Sequence, residues 1–245
     1  MVQLSVNINK VATLRNSRGG QVPSLLRAVE VCVDAGVPGI TVHPREDARH
    51  ITEQDVRDVA KGLEPHRGVV EYNIEGDPRP GLVRLVEEVR PDQCTLVPVR
   101  PGELTSEAGW PSDTPQVELR TIIDRFRKIG VRVSLFIEAR DDAIAWAADL
   151  GADRVELYTE PYARAFEQGA QARDASLARY AAASRYAHAR GLGINAGHDL
   201  DLENLPAFVT LPHLDEVSIG HALISRGLFV GLEKVVSEYL QITSR

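Results

Sequence analysis

Lysine is scarce in this chain. Only Lys10, Lys61, Lys128 and Lys234 occur, and the last three fall in helical patterns. None lies inside a strand-like run, which argues against an aldolase that forms a Schiff base on a lysine within a barrel. Basic clusters are also missing. With a net charge of −7 and a pI near 5.5, the chain lacks the electrostatic footprint of a nucleic-acid binder, although a local pocket can still oppose the overall charge and hold an anion. The two cysteines, Cys32 and Cys94, fall in a helical pattern and a strand-like run. They are expected to be buried free thiols in a reducing compartment. No run of 18 apolar residues occurs, and no charged-then-apolar segment precedes the first strand-like run. No membrane partner is expected, and a soluble, cytoplasmic protein is. No linker or shift in composition divides the chain, so residues 1–245 read as one domain.

What is present is alternation. Eight strand-like runs, at 4–9, 39–43, 68–73, 94–97, 131–137, 154–158, 192–196 and 216–219, are nearly all followed by helical patterns. Eight strand–helix units in a chain of this length predict an α/β fold, a closed parallel (β/α)8 TIM barrel, with its active site at the carboxyl ends of the strands. Those ends are expected at about Asn9, His43, Asn73, Val97, Ile137, Tyr158, Ala196 and Ile219. Helices are expected over 22–35, stopping at Gly36, and from a capping box at Thr52 and Asp55 to about Leu63. Further helices are expected over 80–90, 116–129, 141–150, 202–209 and 222–241. Two stretches exceed a minimal barrel. The glycine- and proline-rich segment 100–115 reads as a lid or substrate-contacting loop, or else as an ordinary surface loop. Residues 162–190 hold more helix than one crossover needs, which suits a subunit contact or a long covering helix.

Alternation along a strand places Asn7 with Asn9, Thr41 with His43 and Arg45, and Glu71 with Asn73 and Glu75 on common faces. Barrel interiors are usually filled by Val, Ile and Leu. Polar residues there need partners or a ligand, since an unpaired buried polar group costs about 1–3 kcal/mol. His43, His198 and His221 fall at or just beyond strand ends, and with Glu71 and Glu156 they form a set suited to several proton transfers. For each the bland reading is a satisfied core hydrogen bond, and for Glu156 an ion pair with an arginine. The loops Asn195–Asp199 and Ser218–Ala222 carry Gly197 and Gly220 ahead of a helix start, an arrangement that binds phosphate through backbone N–H groups. Arg18, Arg45 and His50 are placed to meet further anionic groups. Strand one carries Asn7-Ile8-Asn9 rather than a His-x-His pair, so no metal is expected. A metal held by His43, His198 and His221 remains the alternative.

Several segments together resemble the pyridoxine 5′-phosphate synthase family. They are Asn7 to Gly19, Thr41 to Ile51, Val133 to Ile137, Asn195-Ala196-Gly197-His198 and Ser218-Ile219-Gly220-His221-Ala222, in the same order from residue 4 to about 235. The resemblance implies a barrel with extra helices that assembles into a homo-oligomer, an octamer, and uses no cofactor. It implies a transferase-class, ring-forming enzyme of vitamin B6 biosynthesis, with phosphorylated small molecules as substrates. The reaction joins 3-amino-2-oxopropyl phosphate to 1-deoxy-D-xylulose 5-phosphate, giving pyridoxine 5′-phosphate, phosphate and water. By the same resemblance His43 and Glu71 accept protons, His198 donates one and Glu156 stabilises the transition state. Asn7, Arg18, the backbone at Asp199, Gly220 and His221 bind the amino-ketone phosphate, and Arg45, His50 and Thr105 hold the pentulose phosphate. Four positions depart from the common pattern. Asn9-Lys10 stands where many members have Asp-His, Asp199 where many have glycine, and Val99 where glutamate is usual. Lys10 is expected to contact a phosphate or hydroxyl of the pentulose without forming an imine. The other readings are a metal-dependent barrel hydrolase or lyase, and a barrel that only binds phosphorylated metabolites.

Overall fold

The computed structural model describes residues 1–98 and 108–244. Eight parallel strands close into a barrel in sequence order: β1 (Gln3–Asn7), β2 (Gly39–Val42), β3 (Glu71–Gly76), β4 (Gln93–Leu96), β5 (Arg132–Ile137), β6 (Arg154–Tyr158), β7 (Gly193–Gly197) and β8 (Leu214–Ile219). β8 returns to pair with β1, Ser5 opposite Ser218. The helices are α1 (Asn9–Asn16), α2 (Leu25–Asp34), α3 (Glu53–Leu63), α4 (Pro80–Val89), α5 (Gln116–Lys128), α6 (Asp141–Leu150), α7 (Glu160–Glu167), α8 (Ala170–Ala189), α9 (Leu205–Phe208), α10 (His221–Val230) and α11 (Leu232–Thr243).

The capping box at α3 forms as the sequence indicates. Thr52 Oγ1 accepts from Asp55 N, and Asp55 Oδ2 accepts from Thr52 N at 2.8 Å. Four other elements differ from expectation. Residues 9–16 are helical, so β1 ends at Asn7 and both Asn9 and Lys10 stand on the first turn of α1. β3 runs on to Gly76 instead of ending at Asn73. The helix expected over 222–241 breaks at Gly231, whose φ of 90° is open to glycine and strained for other residues. The surplus helix of 162–190 resolves into two parts, with α8 covering α6 and β7 while α7 lies over the strand ends. Of the segment 100–115, residues 100–107 lie outside the described residues. The remainder is pinned to the barrel: Trp110 Nε1 donates to Leu96 O and Trp110 N to Phe136 O, each at 2.9 Å.

The strands' outward face is apolar. Leu4, Val6, Ile40, Val42, Ile74, Leu96, Leu135, Val155, Ile194 and Val217 are wholly buried against the helices. The alternate residues face inward and are largely polar. Ser5 and Thr41 hydroxyls stand 2.7 Å apart, Asn73 Nδ2 donates to Thr41 Oγ1, and Thr95 Oγ1 donates to Asn73 Oδ1. Toward the amino ends, Asn195 Nδ2 donates to Glu216 Oε1, Arg154 donates to Asn195 Oδ1, and Arg132 bonds both Gln93 and Glu71. The barrel is therefore closed at that end by a hydrogen-bonded floor of charged and amide groups instead of an aliphatic plug.

Burial, reinforced by the charge of Glu71, pushes the Glu216 carboxyl up to about 8. A carboxyl raised in the folded state stabilises the fold fully below its unfolded value of about 4.5, and that contribution is lost as pH rises through about 8. We expect the thermal midpoint, followed by circular dichroism, to fall as pH rises from about 5 to about 9, with Glu216→Gln flattening the decline. Parallel curves for the two proteins would show that this carboxyl does not carry the effect.

Candidate active site

A cavity of about 1150 Å³ opens at the carboxyl ends of the strands. His43, one residue past β2, is buried in its wall. Its position is set by the first turn of α1, where Asn9 Oδ1 accepts from His43 N at 2.9 Å while Asn9 N donates to Asn7 Oδ1. Burial, then the charges of His50, Arg45 and Arg79, hold the imidazole down to about 3, against a smaller opposing effect of Asp47. His43 is thus neutral at ordinary pH, and its Nε2 is buried without a hydrogen-bond partner.

The loop after β2 brings Arg45, Arg49 and His50 into the same wall. α1 clamps this loop from outside. Arg15 Nη2 donates to Asp55 Oδ2 at 2.9 Å, and Asn16 Nδ2 donates to His50 O at 2.8 Å. Ile51 N donates to His50 Nδ1 at 2.9 Å, which leaves the proton of the neutral ring on Nε2, a donor toward an anion. Burial and the charges of Arg45 and Lys10 hold His50 down to about 4. Lys10 is exposed at the cavity edge, so this side of the mouth is basic.

At the base of the carboxyl-end cavity, Asn7, Glu75 and Glu156 meet. Asn7 Nδ2 donates to Glu75 Oε2 at 3.3 Å, and the same oxygen is 3.8 Å from His43 Nδ1. Burial, with Glu216 nearby, pushes Glu75 up to about 8. Burial and the neighbouring Glu75 push Glu156 well above the ordinary carboxylate range, and its Oε2 has no hydrogen-bond partner. Gly197 makes room for it, since a β-carbon there would run into Oε1 of Glu156.

His198 and Asp199 follow β7 with φ of 89° and 57°. Thr159 holds this turn by donating to the carbonyls of Gly197 and His198. The ring of His198 packs edge-on to Tyr158, with centroids 5.1 Å apart, and Asp199 Oδ2 lies 2.7 Å from His198 Nδ1. That contact lowers the Asp199 carboxyl and turns its charge onto the imidazole. The wall is completed by Ser218, Gly220, His221 and Ala222, where α10 aims its first N–H groups at the cavity. The lining also includes Glu160, Glu167, Asp201 and Glu203, with Arg164 paired to Glu160.

Of the residues anticipated from sequence, Asn7, Asn9, Lys10, His43, Arg45, His50, Glu156, His198, Asp199, Gly220 and His221 share this cavity. Glu71 does not. It was expected near a strand's carboxyl end, but it is the first residue of β3, opposite Gly39, and is paired with Arg132 at the floor. Glu75, four residues further along the same face, stands in the cavity instead. The signal was present in the alternation, which continues through Glu75 to Gly76 before Pro78 and Pro80 end the extended run. Arg18 is exposed beyond the end of α1 and does not line the cavity, because the helix over 9–16 carries it away from the strand ends. Thr105 lies outside the described residues. The acidic wall of α7 and the loop after β7 was not anticipated, since nothing in a helix sequence says which end of a barrel it covers. Among the described residues no three His, Cys, Asp or Glu side chains are grouped to hold a metal ion.

A (β/α)8 barrel whose carboxyl-end cavity gathers buried carboxyls, a buried histidine, basic side chains and a helix start fits a class of enzymes that act on phosphorylated metabolites. Within that class, the chain belongs to the family described as pyridoxal phosphate biosynthesis protein PdxJ, which it matches over residues 4–245. It is 51% identical over 240 residues to pyridoxine 5′-phosphate synthase of Porphyromonas gingivalis, covering 98% of each chain. It is likewise 51% identical over 249 residues to the protein of the same name from Xanthomonas oryzae pv. oryzae, covering 98% of this chain and 96% of that one. Among solved structures, phosphoribosyl anthranilate isomerase from Thermotoga maritima superposes with a TM-score of 0.63 at 13% identity, covering 100% of this chain and 99% of that one. Thiamine phosphate pyrophosphorylase from Pyrococcus furiosus superposes with the same TM-score at 12% identity, covering 99% and 96%. These structural likenesses establish the barrel.

At Gly220 a β-carbon would stand 3.0 Å from both Cβ and O of Asn7, so one of the two must move. Gly220→Ala is expected to weaken binding of inorganic phosphate about tenfold, the loss of roughly one backbone hydrogen bond to the anion. Titration calorimetry checks this, and unchanged affinity would remove the loop from the anion site.

Proposed function

We propose that this chain is a pyridoxine 5′-phosphate synthase acting as one barrel domain. It joins 3-amino-2-oxopropyl phosphate to 1-deoxy-D-xylulose 5-phosphate and releases pyridoxine 5′-phosphate, phosphate and water. Beyond family membership, the reading rests on one observation. A single cavity is lined by Arg45, Arg49 and His50, by the start of α10, and by the buried groups His43, Glu75 and Glu156.

The amino-ketone phosphate sits against Asn7, the backbone at Asp199, Gly220 and His221, where the start of α10 meets its phosphate. The acidic wall of Glu160, Glu167 and Asp201 complements its ammonium. Arg45 and His50 hold the pentulose phosphate, with Thr105 completing that site and Lys10 meeting a phosphate or hydroxyl. The amine then faces the ketone carbon, and alignment of two bound reactants lowers the barrier by itself. His43 withdraws protons, His198 supplies the proton that leaves with water, and Glu156 donates a hydrogen bond to developing negative charge. Lys10 replaces an acid–base histidine with a fixed positive charge, so it binds without shuttling protons.

The reading also places the enzyme in the cytoplasm, in keeping with the buried free thiols Cys32 and Cys94. It makes the working form a homo-oligomer. Leu228 and Phe229, 66% and 89% exposed at the end of α10, are the kind of apolar surface that self-association covers.

Incubation of the purified protein with both phosphates is expected to give pyridoxine 5′-phosphate and free phosphate in equal amounts, and absence of both products would overturn the reading. His43→Asn and His198→Asn should each lower kcat by about 10² or more with the fold intact. Turnover near that of the wild type would reject the residue concerned. Lys10→Met is expected to raise KM for the pentulose phosphate several-fold at nearly constant kcat. Borohydride trapping of substrate on Lys10 would show a covalent role instead.

A further inference from the structure

His198 and Asp199 are neighbours in the chain, and neighbours on an extended strand point to opposite faces. Here β7 has ended. With φ of 89° and 57° the two side chains come to one side, and Asp199 Oδ2 lies 2.7 Å from His198 Nδ1. The turn is locked around them. Thr159 donates to the carbonyls of Gly197 and His198, and Asn204 Nδ2 donates to Asp199 O at 3.0 Å. Asn204 is buried, and the Tyr162 hydroxyl donates to its carbonyl at 2.8 Å. The imidazole itself packs edge-on to Tyr158. The contact is thus held by the end of β6, by α7 and by the loop after β7.

We propose that Asp199 is a positioning residue for His198: its carboxylate keeps a proton on Nδ1 and makes Nε2 the nitrogen that gives up and regains a proton in the cavity. The proposal rests on the synthase reading for the reaction served. An ionised carboxylate only accepts hydrogen bonds. At 2.7 Å the hydrogen must therefore lie on Nδ1, since a bare ring nitrogen there would set one lone pair against another. In the step, protonated His198 gives the proton of its Nε2–H bond to a substrate hydroxyl, and the electron pair of that bond stays on Nε2. The C–O bond breaks with its pair on oxygen, and water leaves. The pair of an adjacent C–H bond forms the new double bond as His43 withdraws that proton. His198 ends neutral, with Nδ1–H still bonded to Asp199, and regains a proton from solvent at Nε2.

The surroundings set this contact apart from an ordinary surface ion pair. His198 lines the cavity, and only 22% of its side chain is exposed. The hydrogen bond to His198 holds the Asp199 carboxyl below the ordinary carboxylate range, and the charges of His221 and Arg164 act in the same sense. Arg164 is itself bonded to Glu160, so His198 is the partner that Asp199 meets. The remaining titratable group beside the pair is Tyr158, whose hydroxyl burial pushes up to about 12, so it stays uncharged. His50 shows the opposite arrangement. Its Nδ1 accepts from Ile51 N, so its neutral ring carries the proton on Nε2. The two rings are fixed as opposite tautomers, His50 as a donor toward an anion and His198 as a proton carrier at Nε2.

Solid-state nitrogen NMR of the full chain labelled at histidine reads the proton site, with His198→Asn identifying the signal. At about pH 9, above the ordinary histidine range, His198 is expected to carry hydrogen on Nδ1. A bare Nδ1 in the wild type overturns the proposal. Asp199→Gly removes the carboxylate and keeps the backbone N–H, because glycine adopts this positive φ freely. It is expected to move the ring's proton to Nε2 and to lower kcat about tenfold or more, with KM for each phosphate changed less than about threefold. A residue that only shaped the turn would leave the tautomer and kcat of this variant unchanged, and that result overturns the proposal. So does a rise in KM at constant kcat, which would assign the side chain to binding. If Asp199→Gly does not fold, the wild-type spectrum decides alone. If the wild-type protein makes no product, the synthase reading fails on its own, and the spectra of the two proteins still decide where the proton lies.

Discussion

The inward face of this barrel is held together by side-chain hydrogen bonds. Ser5, Thr41, Asn73 and Thr95 link β1 to β4 across the interior, and Gln93, Asn195 and Glu216 extend the network to β7 and β8. An aliphatic interior would tolerate many repackings, but buried polar groups tolerate few, because each one left unpaired costs about 1–3 kcal/mol. A shift of one residue in any strand would turn its polar set outward against the helices and its apolar set inward. The network therefore holds the register, and the register decides which side chains reach the carboxyl-end cavity.

The same constraint shapes the chemistry. A polar interior admits carboxyls, and burial keeps them protonated at neutral pH, as it does for Glu75, Glu156 and Glu216. Burial acts on His43 in the opposite sense and keeps it uncharged. Neutral acids and a neutral imidazole then coexist at the bottom of the cavity, while permanent charge is confined to its rim. The basic rim comes from α1 and the loop after β2, and the acidic rim from α7 and the loop after β7. Such a division draws a phosphate to one side and an ammonium to the other before any group touches the reacting atoms.

Much of the fold was legible because local and global preferences agree. The capping box at Thr52 and Asp55, the glycine stop after α2 and the alternating strands each carry their own physical cause in a few neighbouring residues. The helix over 9–16 was not legible: it begins without a side-chain cap and has only Val11 and Ala12 buried, so the sequence shows little apolar periodicity there. That helix carried Arg18 away from the cavity and placed Asn9 against the backbone of His43. The break at Gly231 was hidden for a similar reason, since α10 and α11 are both helical and an isolated glycine inside such a pattern is often tolerated.

The sequence by itself determined the barrel, the end of it that carries the site, and the residue types available there, because strand period, turn chemistry and chain length are properties of neighbours along the chain. Tertiary structure alone decided depth. Glu71 and Glu75 lie on the same strand face four residues apart, and alternation treats them alike. Pairing with β2 and β4 places one at the floor beside Arg132 and the other at the cavity beside His43. Which carboxyl meets which imidazole depends on how eight strands are staggered around a closed barrel, and that stagger is fixed by contacts between residues far apart in the chain.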